Sequence, residues 1–135
     1  MSEMSNFLED EILDHILGEG AKTFSPAGLW IALSTGTLTD TSTGASMTEV
    51  ADSNNYSRQA VSFNDASGGS ATSNGAVSFT ATGGSWGTIT DFAIVDSATH
   101  GAGNVFFYSA LDNSRIVNDG DTLTFADTAV TVSIT

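Results

Sequence analysis

The N-terminal segment of the chain carries apolar residues at helical spacing. They recur at intervals of three and four positions: Leu8, Ile12, Leu13, Ile16 and Leu17. This spacing predicts one amphipathic helix, with Asn6 and Glu9 at capping-box separation and with Gly18 and Gly20 ending the pattern. Because a helix of about 12 residues is marginal alone, we expect its apolar stripe to pack on the sheet of its own subunit or on a neighbouring chain.

Beyond Pro26 the pattern changes to short apolar or alternating runs separated by turn signals such as Gly68-Gly69 and Asp119-Gly120. The runs, one of them weak and one short, cover residues 29–33, 58–63, 71–74, 76–79, 89–95, 105–111, 115–117, 122–125 and 130–134. Roughly eight strands at a spacing of about 8–12 residues are typical of an all-β, antiparallel β-sandwich, here jelly-roll-like. We predict a single domain, with the helix in residues 1–20 and the sandwich in 21–135.

Two features of the strand region are candidates for contacts between chains. Residues 35–55 are rich in Thr, Ser, Gly, Asp and Asn, which predicts a long surface loop of the kind that is usually functional or mobile. Tyr56 and Arg58 at its end are residue types enriched at interfaces. Phe106, Phe107 and Tyr108 are consecutive, so a strand there is covered on both faces, either by two layers of its own subunit or by one layer and a subunit contact.

The composition of the chain argues against several classes of binding partner. The chain of 135 residues has 3 Lys and Arg against 16 Asp and Glu, a formal net charge of −13. Such a charge repels phosphate backbones and anionic membranes, so we expect neither nucleic acid nor membrane as a partner. No apolar run approaches the roughly 20 residues of a membrane span, and the N-terminus lacks the features of a secretory signal. We therefore expect synthesis in the cytoplasm.

Candidate chemistry is sparse. The chain has no cysteine, and its two histidines, His15 and His100, are far apart in sequence. Asp91 and Asp96 flank one predicted strand on opposite faces, which disfavours a shared acid–base site. The segment around Gly120 resembles part of a calcium loop but lacks the remaining ligands. We therefore predict no catalytic residues, no cofactor, no metal site and no enzymatic activity. Arg58 and Arg115 are two of the three basic residues, and each is expected to pair with a carboxylate, within the subunit or across a contact.

The order of the motifs along nearly the whole chain resembles a known family. The motifs are the helix 6–18 and the segments 29–35, 55–63, 86–94, 104–111 and 117–125. This order is similar to that of small structural proteins of tailed bacteriophages, labelled tail-fibre-like, some of which resemble capsid cement (decoration) proteins. The resemblance implies no catalytic residues.

The resemblance implies a protein of the virion, made in the host cytoplasm. The expected function is that of a capsid cement protein, which binds the outer shell as a homotrimer and stabilises contacts between major capsid subunits. A tail, baseplate or fibre-adaptor component is the first alternative. A carbohydrate-binding module for host attachment, with Trp30, Trp86 and Tyr56 as stacking platforms, is the second. The residues expected at the interface are Leu8, Ile12, Ile16 and Leu17 of the helix and Tyr56 and Arg58 of the loop end.

Overall fold

The computed structural model describes residues 3–18 and 25–134. One α-helix, α1 (Asn6–Leu17), follows a two-residue strand, β1 (Glu3–Met4). The other strands of the described residues are β2 (Trp30–Ser34), β3 (Gln59–Ala60), β4 (Ser70–Thr72), β5 (Val77–Thr80), β6 (Gly87–Val95), β7 (Val105–Val117), β8 (Thr122–Phe125) and β9 (Thr131–Ser133). All named pairings are antiparallel. The predicted fold class, mostly β with one N-terminal helix, is confirmed.

The strands form two layers. Five of them make one sheet in the order β1-β7-β6-β2-β3, and the others make two separate pairs, β4-β9 and β5-β8. The core lies between the sheet and the β5-β8 pair, where Ile31, Leu33 and Ile94 pack with Phe79 and Leu123. A fully buried side chain of this kind stabilises the fold by roughly 1.5–3 kcal/mol. The arrangement is therefore sandwich-like, with a second layer built from strand pairs.

The loop after β2 covers the opposite face of the large sheet. Leu38 and Met47 of this loop are buried against Ala32 of β2, Ala93 of β6 and Val105 of β7. The segment between β2 and β3 forms no strand, as its composition predicts, but its apolar residues complete a second hydrophobic cluster. Because both faces of the sheet are covered within the chain, Phe106, Phe107 and Tyr108 lie in a strand between two layers, as the first of the two interpretations predicts.

Strand β7 continues through the gap between two predicted strands, 105–111 and 115–117. Its thirteen residues pair with β6 on both sides of an irregularity between the pairs Ile89↔Arg115 and Asp91↔Ala110. One residue of β6, Thr90, therefore faces four of β7, residues 111–114. This bulge lets residues 111–114, of which Asp112, Asn113 and Ser114 are polar and exposed, leave the ladder without ending the strand.

The predicted capping box at Asn6 is wrong, because the N-cap of α1 is Ser5. The Ser5 hydroxyl accepts a hydrogen bond from the Leu8 N–H at 3.3 Å and donates one to the Val105 carbonyl. With Ser5 as the cap, Glu9 lies one position too late for the reciprocal bond. The helix ends at Gly18, whose N–H donates to the Asp14 carbonyl at 3.0 Å. Gly20 and the predicted domain boundary at residue 20 lie outside the described residues.

Candidate interaction surfaces

A buried polar cluster forms at the end of the 35–58 loop. The Glu49 carboxylate accepts hydrogen bonds from Arg58 Nε at 2.8 Å, Arg58 Nη2 at 2.9 Å, the Tyr56 hydroxyl at 2.9 Å and the Gly101 N–H at 3.1 Å. Arg58 Nη1 donates to the carbonyls of Ser97 and Ala102, both at 2.8 Å. The side chains of Arg58 and Glu49 are 0 % and 3 % exposed. This polar cluster joins the loop to the turn between β6 and β7.

The electrostatics of the polar cluster favour its charged form. Burial alone raises the pKa of Glu49, but the hydrogen bonds from Arg58, Gly101 and Tyr56 outweigh it and hold the pKa below its ordinary value. Burial and the neighbouring Glu49 charge raise the pKa of Tyr56 well above its usual range. Glu49 is therefore ionised and Tyr56 neutral near neutral pH. With these groups paired, the arrangement acts as an internal tie rather than as an open reactive site.

Arg58 pairs with the carboxylate of Glu49, so its expected ionic partner lies within the same chain. Tyr56 is equally committed: its hydroxyl accepts from the Leu33 N–H at 3.0 Å, and its ring packs against Phe79 and Trp86. Tyr56 and Trp86 are 4 % and 7 % exposed. They therefore offer no free face for stacking on a sugar, and of the predicted carbohydrate platforms Trp30 alone is half-buried.

The other candidate residues for chemistry, two aspartates and two histidines, share no hydrogen-bond partner in the described structure. Asp91 accepts from the Leu38 N–H at 3.3 Å, whereas Asp96 accepts from the backbone and the side chain of Asn104 at 2.7 and 2.9 Å. His100 Nε2 lies 2.8 Å from the Val50 carbonyl, while His15 is exposed on α1. Within residues 3–18 and 25–134, no three His, Asp or Glu side chains are grouped as a metal site requires.

The exposed helix face is the first open surface of the molecule, and we define it by Leu13, Ile16 and Leu17. These side chains are 54 %, 69 % and 73 % exposed, although all three are large and apolar. The helix contacts its own subunit through its first turn, where Leu8 is buried and Phe7 stacks on Phe106 with ring centroids 5.9 Å apart. Packing of the whole stripe on its own sheet, the first of the two expectations, is not what the described residues do.

The second open surface is a groove between β7 and β8, which we call the β7–β8 groove. Its main part has a volume of about 540 Å³, and a smaller part of about 240 Å³ adjoins it beside Ile116. Its floor comes from core side chains: Phe92, Leu123, Phe125 and Val130. Its β7 wall includes Leu111, Asp112 and Arg115.

The six residues predicted at an interface fall into two groups. Ile16 and Leu17 lie on the exposed helix face, with Ile12 half-buried beside it. Leu8, Tyr56 and Arg58 are buried in their own chain at 6 % exposure or less. Their role in contacts between chains stays a prediction, and for these last three it would require a rearrangement. The sequence does not predict the groove, because β7 and β8 belong to different layers and no local pattern shows that they lie side by side.

Comparison with known proteins identifies the family of the chain. A family model described as Podophage GP4 fiber I protein gp80 matches residues 3–133. A search of curated proteins finds no match. In the part of the chain that the structure describes, no helix has the length and apolar character needed to cross a bilayer. The resemblance seen in the motifs is confirmed, and the chain belongs to this family of small, tail-fibre-like structural proteins of tailed phages.

Proposed function

We propose that this chain is a non-enzymatic structural subunit of the phage particle, which works as assembled copies bound to other virion proteins through the exposed helix face. One observation carries the proposal: Leu13, Ile16 and Leu17 are more than half exposed on one short helix. Leaving such side chains largely in water forfeits a large part of the roughly 1.5–3 kcal/mol that complete burial of each contributes. Contiguous apolar patches of this kind are typical of interaction sites.

The rest of the chain supports a structural role. The residues that look most reactive, Glu49, Tyr56 and Arg58, are saturated with hydrogen bonds inside the protein. Two covered sheet faces make a rigid body, and the charge of −13 keeps such bodies soluble and apart. A rigid, acidic domain with one exposed apolar helix face suits weak contacts that are repeated many times. The overall affinity rises when several copies are held together and bind at once.

The description of the matching family favours the fibre as the place of assembly. Capsid cement, the function expected from the sequence, is the second candidate, because a compact acidic domain that docks by one exposed element also suits a shell. The two placements differ in what the particle loses. A fibre subunit serves attachment to the host, whereas a cement protein holds the shell against internal pressure.

Particles made without this chain separate these candidates. For a fibre subunit, we expect adsorption to host cells to fall at least tenfold, while genome retention after heating or osmotic shock stays at the wild-type level. For capsid cement, we expect the reverse pattern. Cryo-electron microscopy of the wild-type particle locates the chain directly. Absence of the chain from purified particles would overturn the proposed function.

A further inference from the structure

An asparagine–glycine pair, Asn74-Gly75, lies in the exposed connection between β4 and β5. Asparagine is a chemically labile residue. It is most labile before glycine, because glycine has no side chain to hinder the attack of its own backbone nitrogen on the asparagine carboxamide. Of the asparagines in the sequence, only Asn74 is followed by glycine. The local sequence therefore makes this pair the most susceptible position of the chain to spontaneous deamidation.

The Asn74 side chain is accessible for this reaction. It is exposed, and among the described residues its carboxamide has no hydrogen-bond partner. Gly75 has a φ of 93°, in the left-handed region that favours glycine, and apart from its chain neighbours no atom lies within 4 Å of the position that a Cβ would take. Neither burial nor crowding therefore separates the carboxamide from the Gly75 nitrogen.

The Gly75 nitrogen, by contrast, is restrained. Its N–H donates a hydrogen bond of 2.8 Å to Oδ1 of Asp127. The backbone of Asn74 is restrained as well, since its N–H donates to the Ser62 carbonyl at 2.9 Å and its carbonyl accepts from the Ser62 hydroxyl at 3.2 Å. Attack requires the reacting atoms to align at about 3–3.5 Å. The nitrogen can therefore turn toward the carboxamide only when these hydrogen bonds break.

The turn that carries Asp127 is itself bonded to the same connection. The Thr128 N–H donates to the carbonyl of Ser73, the residue before Asn74, at 3.1 Å. Thr128 has a φ of 63°, an unfavourable value for a β-branched residue, and the bond to buried Ser73 helps to hold the turn in this conformation. The fold therefore determines that the Asp127 carboxylate lies beside the Gly75 N–H.

The chemistry of deamidation explains why this contact matters. The Gly75 nitrogen loses its proton and forms a bond to Cγ of Asn74, while the bond from Cγ to the side-chain nitrogen breaks. The departing nitrogen takes up the proton and leaves as ammonia, and water then opens the resulting succinimide to aspartate or isoaspartate. A charge-assisted hydrogen bond to Asp127 stabilises the protonated nitrogen. The negative charge of the carboxylate also opposes formation of the nitrogen anion.

We propose that Asn74 is the site at which this chain deamidates, and that Asp127 is a positioning residue that slows the reaction by holding the Gly75 N–H. The inference goes beyond the proposed function and does not depend on the exposed helix face. It concerns the lifetime of the chain, because subunits of an assembled particle are not replaced by new synthesis. The product carries a new carboxylate near Asp127 or, as isoaspartate, one extra backbone carbon between β4 and β5.

Incubation of the purified full chain at slightly alkaline pH, below its unfolding temperature, tests the inference. Peptide mapping by mass spectrometry gives the rate at each asparagine. We expect Asn74 of the folded wild type to react at least tenfold more slowly than Asn74 of the same chain unfolded in denaturant. Asp127→Ala should raise the rate in the folded chain at least threefold. Asp127→Asn keeps a hydrogen-bond acceptor but removes the charge, so that its rate should lie between those of wild type and Asp127→Ala.

Two controls isolate the contact with Gly75. Asp52→Ala removes an exposed carboxylate from the 35–58 loop and should leave the Asn74 rate unchanged. Asn113, which is exposed and followed by Ser114, should react at the same rate in every folded variant. Circular dichroism establishes that each variant is folded. If Asp127→Ala is not, Asp127→Asn decides alone, because its rate at Asn74 must still exceed that of the wild type.

Three results would each overturn the inference. The first is a folded wild-type chain in which Asn74 reacts within tenfold of the unfolded rate, since the fold would then give no protection. The second is an Asp127→Ala rate less than threefold above that of the wild type, which would show that the carboxylate either assists the reaction or has no effect on it. The third is another asparagine that reacts faster than Asn74 in folded Asp127→Ala.

Discussion

The polar cluster and the exposed helix face differ in how far their side chains are exposed to solvent. At the polar cluster, a carboxylate and a guanidinium are at most 3 % exposed, and hydrogen bonds hold both within one chain. At the helix face, Leu13, Ile16 and Leu17 are 54–73 % exposed. The charged groups are thus inside and the aliphatic groups outside, the reverse of the usual distribution. The first region is complete in a single chain, and the second is not.

This contrast teaches that residue type alone does not locate an interface. Tyr and Arg are enriched in contacts between proteins, and Tyr56 and Arg58 were expected in one for that reason. In this chain they bind a loop to the sheet instead, because the loop carries Glu49 to the same place. We call the polar cluster a closed region because its groups are paired within the chain, and there we expect substitutions to lower the stability of the fold strongly. We call the exposed helix face an open region, and there we expect substitutions to weaken association with other proteins. This division between a closed and an open region can be tested by substitution.

The largest expected effect comes from Arg58→Ala. The substitution leaves Glu49 as a buried charge without its main partner and leaves the carbonyls of Ser97 and Ala102 without their donor. Breaking a buried ion pair from one side costs about 3–5 kcal/mol. We expect the free energy of unfolding, measured by chemical denaturation, to fall by that amount. Arg115→Ala is the matched control, and its exposed position predicts a change within about 0.5 kcal/mol. Equal effects of the two substitutions would contradict the division.

The next effect comes from Tyr56→Phe, which removes one hydroxyl and keeps the ring against Phe79 and Trp86. The hydroxyl accepts from the Leu33 N–H and donates to Glu49. Without it, a buried N–H of β2 loses its partner, at a cost of about 1–3 kcal/mol. Thermal or chemical unfolding measures the loss. Tyr108→Phe is the comparison, since its hydroxyl bonds to Glu3 of the two-residue strand β1, and we expect a smaller loss from it.

The polar cluster also makes stability depend on pH in a defined direction. The pKa of Glu49 in the folded chain lies below its ordinary value of 4.5. Its contribution to stability is therefore complete above about pH 4.5 and is lost as pH falls through the folded-state pKa. We expect the difference in free energy of unfolding between wild type and Glu49→Gln to be largest above pH 5 and to shrink on acidification. A difference that stays constant down to pH 3 would exclude this explanation.

Local patterns predict the elements of this fold well, and long-range contacts explain what they miss. The spacing of apolar residues and Gly18 define α1, and alternation locates most of the strands. The choice of Ser5 over Asn6 as the cap depends on Val105, which is 100 residues away. Likewise, β7 stays one strand because β6 pairs with it on both sides of the bulge.

The candidate surfaces also depend on long-range contacts that local sequence patterns do not predict. The helix stripe is visible in the sequence, but its exposure depends on how much of α1 reaches the sheet. Glu49 lies in a Thr- and Ser-rich segment without periodicity, so that nothing local links it to Arg58. The β7–β8 groove is formed by strands of different layers, and such a juxtaposition is not encoded in the spacing of either strand.

The smallest expected effect on stability comes from Ile16→Ser, which tests the open side of the comparison. Because this side chain is 69 % exposed, its loss removes little buried area, and we expect the free energy of unfolding of the isolated chain to change by less than about 0.5 kcal/mol. Its incorporation into phage particles should fall severalfold, as measured by quantitative mass spectrometry of purified virions. Ile134→Ser, at 54 % exposure, is the control that should incorporate normally. If Ile16→Ser instead unfolded the chain as strongly as Arg58→Ala does, the helix face would belong to the fold, and the division between a closed and an open region would be wrong.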